Sequence, residues 1–367
     1  MRLHHIEVAS FRNLQTARVD IGPRFNIFFG GNGQGKTNLL EAVGLLCELR
    51  SFRGVETEAL ISHGKETAQL SALAHSGGLD YEVKLTLGAG LRRLVVNGKP
   101  VVRQKNYLGT LPNVVFAPED VRLAKGDPAT RRRFLDRALF LVQPAHWDRS
   151  MEYKQMLKRR NRLLKEQRTA DPLFEVYSER MAALGAEISF HRSLFAASLS
   201  AKMEEAARAV SAGSERFSLR YASHLDRDGE AFSDGGQRLA ELLKQSLRRD
   251  RERGWTSVGP HVEDLAIDVD GHSASDYASQ GQLRTAALAM KIAEIEVLHR
   301  MTGIFPALLV DDLSSELDLM RRERLLHYLS TTGGQVLLTS TEESLGAALE
   351  AEGLKRFKVE EGRVSPV

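Results

Sequence analysis

The stretch Phe25-Asn26-Ile27-Phe28-Phe29-Gly30-Gly31-Asn32-Gly33-Gln34-Gly35-Lys36-Thr37-Asn38-Leu39-Leu40 brings together the residue types that hold a polyphosphate. Gly30 to Thr37 fits G-x-x-x-x-G-K-[ST]. Glycines in such a loop let the backbone curl until successive N–H groups face one concavity, and the helix that follows adds the positive end of its dipole. At this spacing Lys36 reaches the β- and γ-phosphates, and the Thr37 hydroxyl is a magnesium ligand. The expected nucleotide contacts are Gly30, Asn32, Gly33, Gly35, Lys36, Thr37 and Asn38. A glycine-rich turn before an ordinary helix would also satisfy the bare pattern. The apolar run before it and the helical spacing of Leu39, Leu40, Ala42, Val43, Leu45 and Leu46 after it favour strand, phosphate loop and helix.

A loop of this kind that hydrolyses ATP needs acids opposite it, one for Mg²⁺ and one for the attacking water. Ala307-Leu308-Leu309-Val310-Asp311-Asp312 supplies both at the end of an apolar run. Asp311 takes the magnesium position beside Thr37, and Asp312 stands where a general base would act. Two adjacent carboxylates are costly unless a cation or the handling of a water keeps them together; the competing reading is an Asp-rich turn. Lys36 and Asp311 lie at opposite ends of the chain, so the ATPase is expected to be split, with a lobe inserted between its halves.

The elements that must position these groups follow from periodicity. Leu3 to Val8 and Ala17 to Phe29 read as strands around Ser10-Phe11-Arg12-Asn13. Residues 66–117 alternate apolar and polar between glycine turns, with Asn97-Gly98 as a hairpin signal, and read as antiparallel β. Helical patterns run from about Ala129 to Val210, broken near Gln143-Pro144 and Ala170-Asp171-Pro172. Strands at Phe217–Tyr221 and Leu265–Val269 flank a helix from about Arg238 to Arg251. A long helix (Leu283 to His299), a strand (Ala307 to Val310), a helix (Arg321 to Leu329) and a strand (Gln335 to Thr339) complete the reading. The expected fold is α/β: an ABC-type P-loop ATPase head with a mixed or antiparallel β subdomain (residues 1–120 and 256–367) and an inserted, mainly helical lobe (121–255).

Composition narrows the classes. The 367 residues suffice for two cores, at hydrophobic and charged fractions typical of a globular protein. No apolar run approaches a membrane span, and Met1-Arg2-Leu3-His4-His5-Ile6-Glu7 lacks the core of a signal peptide, so a cytoplasmic protein without a membrane partner is expected. Cys47 is the only cysteine, which excludes a disulfide within one chain. The formal net charge of +3 argues for nothing by itself. Its distribution is more useful: Arg131 to Arg168 holds twelve Lys/Arg against four Asp/Glu, a block that fits either a nucleic-acid footprint or a solvated helix surface.

Ala278-Ser279-Gln280-Gly281-Gln282-Leu283-Arg284 opens the long helix and is similar to the signature sequence of ABC ATPases. A Ser hydroxyl with backbone N–H groups at a helix start is a second phosphate device. In the ABC arrangement it completes the nucleotide site of a second subunit, which assigns Ser279, Gly281 and Gln282 to a partner's nucleotide and Ser279 to its catalysis. The competing reading of the segment alone is a polar N-cap. Ser315-Glu316-Leu317-Asp318 resembles the D-loop of the same dimer seam.

Together these segments resemble the SMC/Rad50-like branch of ABC ATPases and, within it, the RecF family of bacterial DNA-repair proteins. The resemblance covers essentially the whole chain. Besides the motifs above it rests on Leu39-Leu40-Glu41-Ala42, Ser51-Phe52-Arg53 and Phe116-Ala117-Pro118-Glu119-Asp120. It rests also on Lys125-Gly126-Asp127-Pro128, Arg131–Asp136 and Gly259–Leu265. The insertion is too short for long coiled coils. The resemblance implies a protein that binds ATP and Mg²⁺, forms an ATP-dependent homodimer around two nucleotides, and holds gapped DNA or double-/single-strand junctions without reading sequence. A weak, DNA-stimulated ATPase would release them, and RecO and RecR would be partners in loading RecA.

The departures point toward slow turnover. Asp312 replaces the usual Glu, Leu338-Thr339-Ser340-Thr341 carries no switch histidine, and Glu119 or Asp120 stands in for a Q-loop glutamine. Val262 and Glu263 occupy positions where relatives usually carry Arg and Asp, which makes His261 and Asp264 structural candidates. Arg53 suits a phosphate or DNA contact or simply an exposed basic turn. Two other classes compete: the ATPase subunit of another ABC-type complex such as a transporter, and a monomeric P-loop phosphotransferase.

Overall fold

Runs that are apolar at every position, like Phe25–Phe29 and Ala307–Val310, call for strands covered on both faces; alternating runs call for a sheet with one open face. A computed structural model of the chain, which describes residues 1–211, 215–226, 234–313, 318–345 and 353–367, contains both kinds. The Cα packing divides the chain into two compact units. One comprises Met1–Val121, Glu205–Glu215 and Arg284–Val367, the other Arg122–Glu204 and Arg216–Leu283. Residue 256, the expected return to the ATPase lobe, falls inside the second unit.

The first unit begins with β1 (Arg2–Phe11), β2 (Leu14–Asp20) and β3 (Phe25–Phe29), followed by helix α1 (Lys36–Glu48). The expected strand Ala17 to Phe29 is thus two strands, and they join different sheets. Pro23 has no N–H to continue a ladder, and the Asn26 side chain takes the Gly22 N–H at 2.6 Å, turning the chain between them. Then come β4 (Thr67–Ser76), β5 (Leu79–Gly88), β6 (Leu91–Val96), β7 (Lys99–Pro100) and β8 (Asn113–Phe116). An antiparallel sheet runs β2-β1-β4-β5-β6-β7. The expectation of antiparallel pairing through residue 117 fails at β8, which lies in the other sheet, parallel to a strand from the far end of the chain. Its four residues are all buried and show no alternation, which is what a two-sided strand requires.

The second unit carries α2 (Val121–Lys125), α3 (Pro128–Val142), α4 (Ala145–Lys165) and α5 (Pro172–Ser211), whose last turns belong to the first unit. The breaks fall where Pro144 and Pro172 were expected to place them, and Asp127 caps α3 by accepting the Thr130 N–H at 2.9 Å. β9 (Phe217–Ala222), α6 (Gly235–Gln245), α7 (Leu247–Arg253), β10 (Asp264–Val269), β11 (His272–Ser273), α8 (Ala274–Tyr277) and α9 (Gln280–Thr302) follow. The single helix expected over Arg238–Arg251 is two, joined at Ser246, whose hydroxyl bonds Leu243 O (3.2 Å) and Asp250 (3.1 Å) and offers the backbone an alternative to the helix.

The first unit closes with β12 (Ala307–Val310), a helix Leu319–Thr331, β13 (Val336–Ser340) and a hairpin absent from the sequence reading, β14 (Lys355–Glu360) and β15 (Arg363–Pro366). The second sheet of this unit runs β15-β14-β3-β13-β12-β8, parallel except for β15. A single carboxamide links its two sheets. Gln335 accepts the Leu3 N–H at 2.7 Å and donates to Leu3 O at 2.9 Å, at the register shift of β1.

A buried ion pair anchors the second unit. The Arg160 guanidinium, 1% exposed, donates to Asp250 (3.1 Å), Thr256 (2.6 Å) and Ser178 (3.1 Å). Arg160→Ala would strand the Asp250 carboxylate, and a loss of about 3–5 kcal/mol is expected. Arg160→Met with Asp250→Leu should recover most of it. Denaturant titration of the full chain checks both values; a single variant as stable as the parent would contradict the assignment.

Candidate nucleotide site

β3 ends at Phe29, and the backbone then passes so close to β14 that no side chain fits at Gly30. A Cβ there would lie 2.2 Å from Val359 O. Gly35 holds φ 115°, strained for any residue with a side chain, and a Cβ there would also approach the Asn13 carboxamide at 2.8 Å. Gly33 also has positive φ (76°), but its Cβ position is open, so the conformation and not space selects glycine there. Gly31, Asn32 and Gly33 are exposed while Lys36 is buried. The Lys36 ammonium donates to Gly30 O and Gly31 O, both at 2.7 Å. Burial lowers its pKa, against the opposing pull of the Asp312 and Asp311 carboxylates.

Asp311, at the end of β12, is brought to this loop. Its Oδ1 accepts from the Thr37 hydroxyl and from the Thr339 hydroxyl, each at 2.8 Å. Thr339 also accepts the Asp312 N–H at 2.8 Å, which ties the backbone of the second acid to β13. Asp312 holds φ 52°, a conformation unusual for a residue with a side chain. Burial raises the Asp311 pKa; the two hydroxyl hydrogen bonds oppose the shift, and the charges of Asp312 and Glu119 add to it. Of the two candidates near the Q-loop position, Glu119 therefore stands within the field of Asp311. Asp120 instead accepts the Ala117 N–H (2.8 Å) and pairs with Lys291 (3.3 Å).

Several residues that sequence reasoning did not single out hold the loop. Asn13 donates to Gly33 O at 3.1 Å and accepts from Asn38 at 2.8 Å. Gln34 takes the Glu361 N–H on its side chain (2.6 Å) and the Gly362 N–H on its carbonyl (2.9 Å), so the β14–β15 turn clamps the loop. Glu361-Gly362 is not one of the strong Asn-Gly or Asp-Gly hairpin signals, and Asn13 carried none. Behind the loop, Glu41 is fully buried on α1 and receives Arg12 through two hydrogen bonds (3.0 and 3.1 Å) and the Ser51 hydroxyl at 2.5 Å. Arg53 lies 3.9 Å from the same carboxylate with its side chain 40% exposed. The Ser51-Phe52-Arg53 turn thus docks on the phosphate-loop helix through Glu41.

Ser279, Gly281 and Gln282 lie in the second unit, at the start of α9. The Ser279 hydroxyl accepts the Gln282 N–H at 3.2 Å, and the Gln282 side chain accepts the Ser279 N–H at 2.8 Å. This is a reciprocal capping box. Ser279 itself is exposed, and its O–H proton is not consumed by the cap. Ser315, Glu316 and Leu317 of the expected D-loop lie outside the described residues, while Asp318 caps the helix Leu319–Thr331 by accepting the Arg321 N–H at 3.0 Å.

Residues 2–364 match the family model described as the RecF/RecN/SMC N terminal domain. The chain is 39% identical to the DNA replication and repair protein RecF of Myxococcus xanthus, across 100% of this chain and 97% of that one. The chain belongs to the RecF family of SMC-like ABC ATPases. Its RecF relative from Anaeromyxobacter sp. is also 39% identical, with each chain fully covered. Among solved structures, that of the recombination mediator protein RecF-ATP in the RecFOR pathway superposes with TM-score 0.88 at 32% identity, over 100% of this chain and 97% of that chain. The Smc head of Pyrococcus furiosus shares the fold alone, at TM-score 0.60 and 16% identity. No described helix is long and apolar enough to cross a membrane.

The raised pKa of Asp311 has a sign that can be tested. Between the ordinary aspartate value, about 3.9, and its raised native value, the unfolded chain has released this proton and the native chain has not. Stability therefore falls as pH rises through that window. Asp311→Asn, which can still accept both hydroxyl hydrogen bonds, is expected to melt above the parent at neutral pH in metal-free buffer. Its advantage should vanish on acidification. Thermal melts across the acid-to-neutral range check this, and an advantage that grows toward low pH would refute it.

Proposed function

We propose that this chain is an ATP-gated DNA-binding recombination mediator. The observation that carries the proposal is the meeting of Thr37 and Asp311, 274 positions apart, on a phosphate loop in a chain alike RecF from end to end. The backbone N–H groups of Gly30 to Asn38 and the Lys36 ammonium bind the polyphosphate, Lys36 exchanging loop carbonyls for phosphate oxygens. Thr37 and Asp311 present hard oxygen donors side by side, a donor set that fits Mg²⁺. When bound, that ion neutralises charge on the β- and γ-phosphate oxygens. Asp312 orients the attacking water. Its short side chain, and the lack of a switch histidine in Leu338-Thr339-Ser340-Thr341, support a weak ATPase stimulated by DNA. Ser279, Gly281 and Gln282 reach the nucleotide of a second copy, so that ATP closes a homodimer and hydrolysis opens it.

On this reading the first unit is the ATPase lobe, split in sequence, and the second the inserted lobe. The closed dimer holds gapped DNA or double-/single-strand junctions through backbone and shape, in the cytoplasm and without a membrane partner. With RecO and RecR it helps load RecA during recombinational repair. The relatives' names, replication and repair protein and recombination mediator, support this assignment.

Sedimentation with and without ATP–Mg²⁺, then with gapped DNA, tests the proposal. The parent should dimerise on ATP and more firmly with DNA, while Ser279→Arg should bind nucleotide and stay monomeric. Lys36→Ala should weaken nucleotide binding by roughly ten- to a hundredfold, the loss of a charge-assisted contact. A parent that binds ATP yet stays monomeric throughout would remove Ser279 from the site and reopen the phosphotransferase.

A further inference from the structure

The basic block of Arg131 to Arg168 takes no part in the nucleotide site, and burial sorts its members. Arg131 is buried against Asp264 (2.8 and 2.6 Å), and Arg160 against Asp250, so both are structural. The other cations on the C-terminal half of α4 are exposed. Lys158, Arg162 and Lys165 are spaced by four and three residues and so form one stripe along the helix.

The segment leaving α7 lies against this stripe. Thr256 donates its N–H and its hydroxyl to the Asn161 carboxamide, at 2.9 and 2.6 Å. Lys165 Cγ stands 3.3 Å from the place a Cβ would take at Gly254. Trp255 lies in the chain between these two anchored residues, one position from the Gly254–Lys165 contact. Its indole is 41% exposed, and the Arg253 guanidinium sits 5.6 Å from the ring centroid. The backbone on either side is fixed: Gly254 ends α7 at φ 72° with its N–H on Asp250 O (2.8 Å), and Thr256 is held twice. An exposed tryptophan on a rigid backbone is a platform and not a floppy side chain.

The local charge is one-sided. Asp250 is fully buried and engaged by Arg160 and Ser257. The exposed acids Glu166 and Glu252 each pair with arginines on their own stretch of chain. Such surface pairs are weak and exchange readily for phosphate. Lys158 and Lys165 make no ion pair among the described residues. A stripe of cations beside one flat aromatic face matches a ligand that alternates phosphates with stackable rings. A lipid surface would call for more apolar neighbours than one indole ringed by cations.

We infer that this face of the second unit binds single-stranded nucleic acid, with phosphates on Lys158, Arg162 and Lys165 and a base stacked on Trp255. The inference deepens the DNA-binding reading above and rests on it for ligand class, but it does not require nucleotide-driven dimerisation.

The chain has two tryptophans, so Trp147→Phe leaves Trp255 as the sole reporter. Titrating this full-length variant with oligo(dT) of about 16 nucleotides, without ATP, should quench its fluorescence. In anisotropy assays Trp255→Ala should weaken oligo(dT) binding by roughly five- to a hundredfold and leave a duplex of equal length unaffected. Lys158→Glu with Lys165→Glu should weaken both and flatten the salt dependence, by about 0.7 in log–log slope per lost phosphate contact on the single strand. These four residues are exposed or surface-facing, and matched thermal melts confirm that the variants fold. Absence of quenching, an unchanged Trp255→Ala, or quenching by phosphatidylserine vesicles but not by oligo(dT) would overturn the inference. If quenching is absent while ATP-dependent binding of gapped DNA persists, this inference alone fails. If quenching occurs in a protein that never dimerises on ATP, the clamp reading fails and this one stands.

Discussion

The hydrogen bond from Thr37 to Asp311 is the contact on which the first unit is arranged. It joins the first turn of α1 to the end of β12, and each partner is where it is because of the strand behind it. β3 and β12 are not neighbours; β13 lies between them. The strand that separates them also supplies Thr339, which donates to Asp311 and takes the Asp312 N–H. Burial makes the Asp311 charge costly, and those two hydroxyls offset part of the cost. Three parallel strands, drawn from residues near 27, 309 and 338, must therefore be in register before any one of these groups is satisfied. A chain that separates the two halves of its site by some 270 positions needs such an agreement, because the entropic cost of closing the loop is recovered only when the full set forms.

A second constraint acts on the backbone of the loop itself. Val359 O leaves no room for a side chain at Gly30, and Asn13 O would stand 2.2 Å from a Cβ at Gly362. The phosphate loop is thus walled on one side by the C-terminal hairpin and on another by the β1–β2 turn. Both walls also donate or accept hydrogen bonds at loop atoms, through Glu361, Gly362 and Asn13. Glu41 does similar work from below, holding Arg12 of that turn and Ser51 after α1 on one buried carboxylate. A loop whose N–H groups must converge on an anion is preorganised by such packing before the anion arrives.

Much of this was legible in sequence, and the failures have a common cause. The spacing of Lys36 and Thr37 after the glycines, and of two acids at a strand end, is set by local chemistry and could be read, and the fold brings Thr37 and Asp311 together. Long helices were found from their helical pattern, with proline marking the starts of α3, α4 and α5. What escaped reading was partnership at a distance. Ala17 to Phe29 looks continuous, but its two parts serve different sheets, and β8 follows β4 to β6 in the chain while lacking their alternation and pairing with β12. Asn13, Thr339 and Gln335 are ordinary polar residues in sequence. Only the fold shows what each one bonds, since a carboxamide or hydroxyl finds its partner through tertiary register and not through periodicity.

The Gly259–Leu265 segment gathers a cluster of polar and charged groups within the second unit. Glu263 is buried and gathers the hydroxyls of Ser189, Tyr221 and Ser223 with the His224 N–H, all at 2.7 to 2.9 Å. Burial alone would raise its pKa, but the His224 imidazole first, then the Ser189 and Tyr221 hydroxyls and the His224 N–H, hold it below the ordinary glutamate range. Beside it, Asp264 is gripped by Arg131, and His261 bridges Tyr153 and Thr256 O with its own pKa lowered by burial. Arg192 closes the group by joining Asp136, Tyr221 and Pro260 O. Each of these charges meets a partner inside the same unit, so the segment acts as a polar fastener between α3, α4, α5 and the strands β9 and β10. A carboxylate one methylene longer than aspartate is well matched to this position, because its reach lets it collect donors from α5, β9 and the turn after β9 at once.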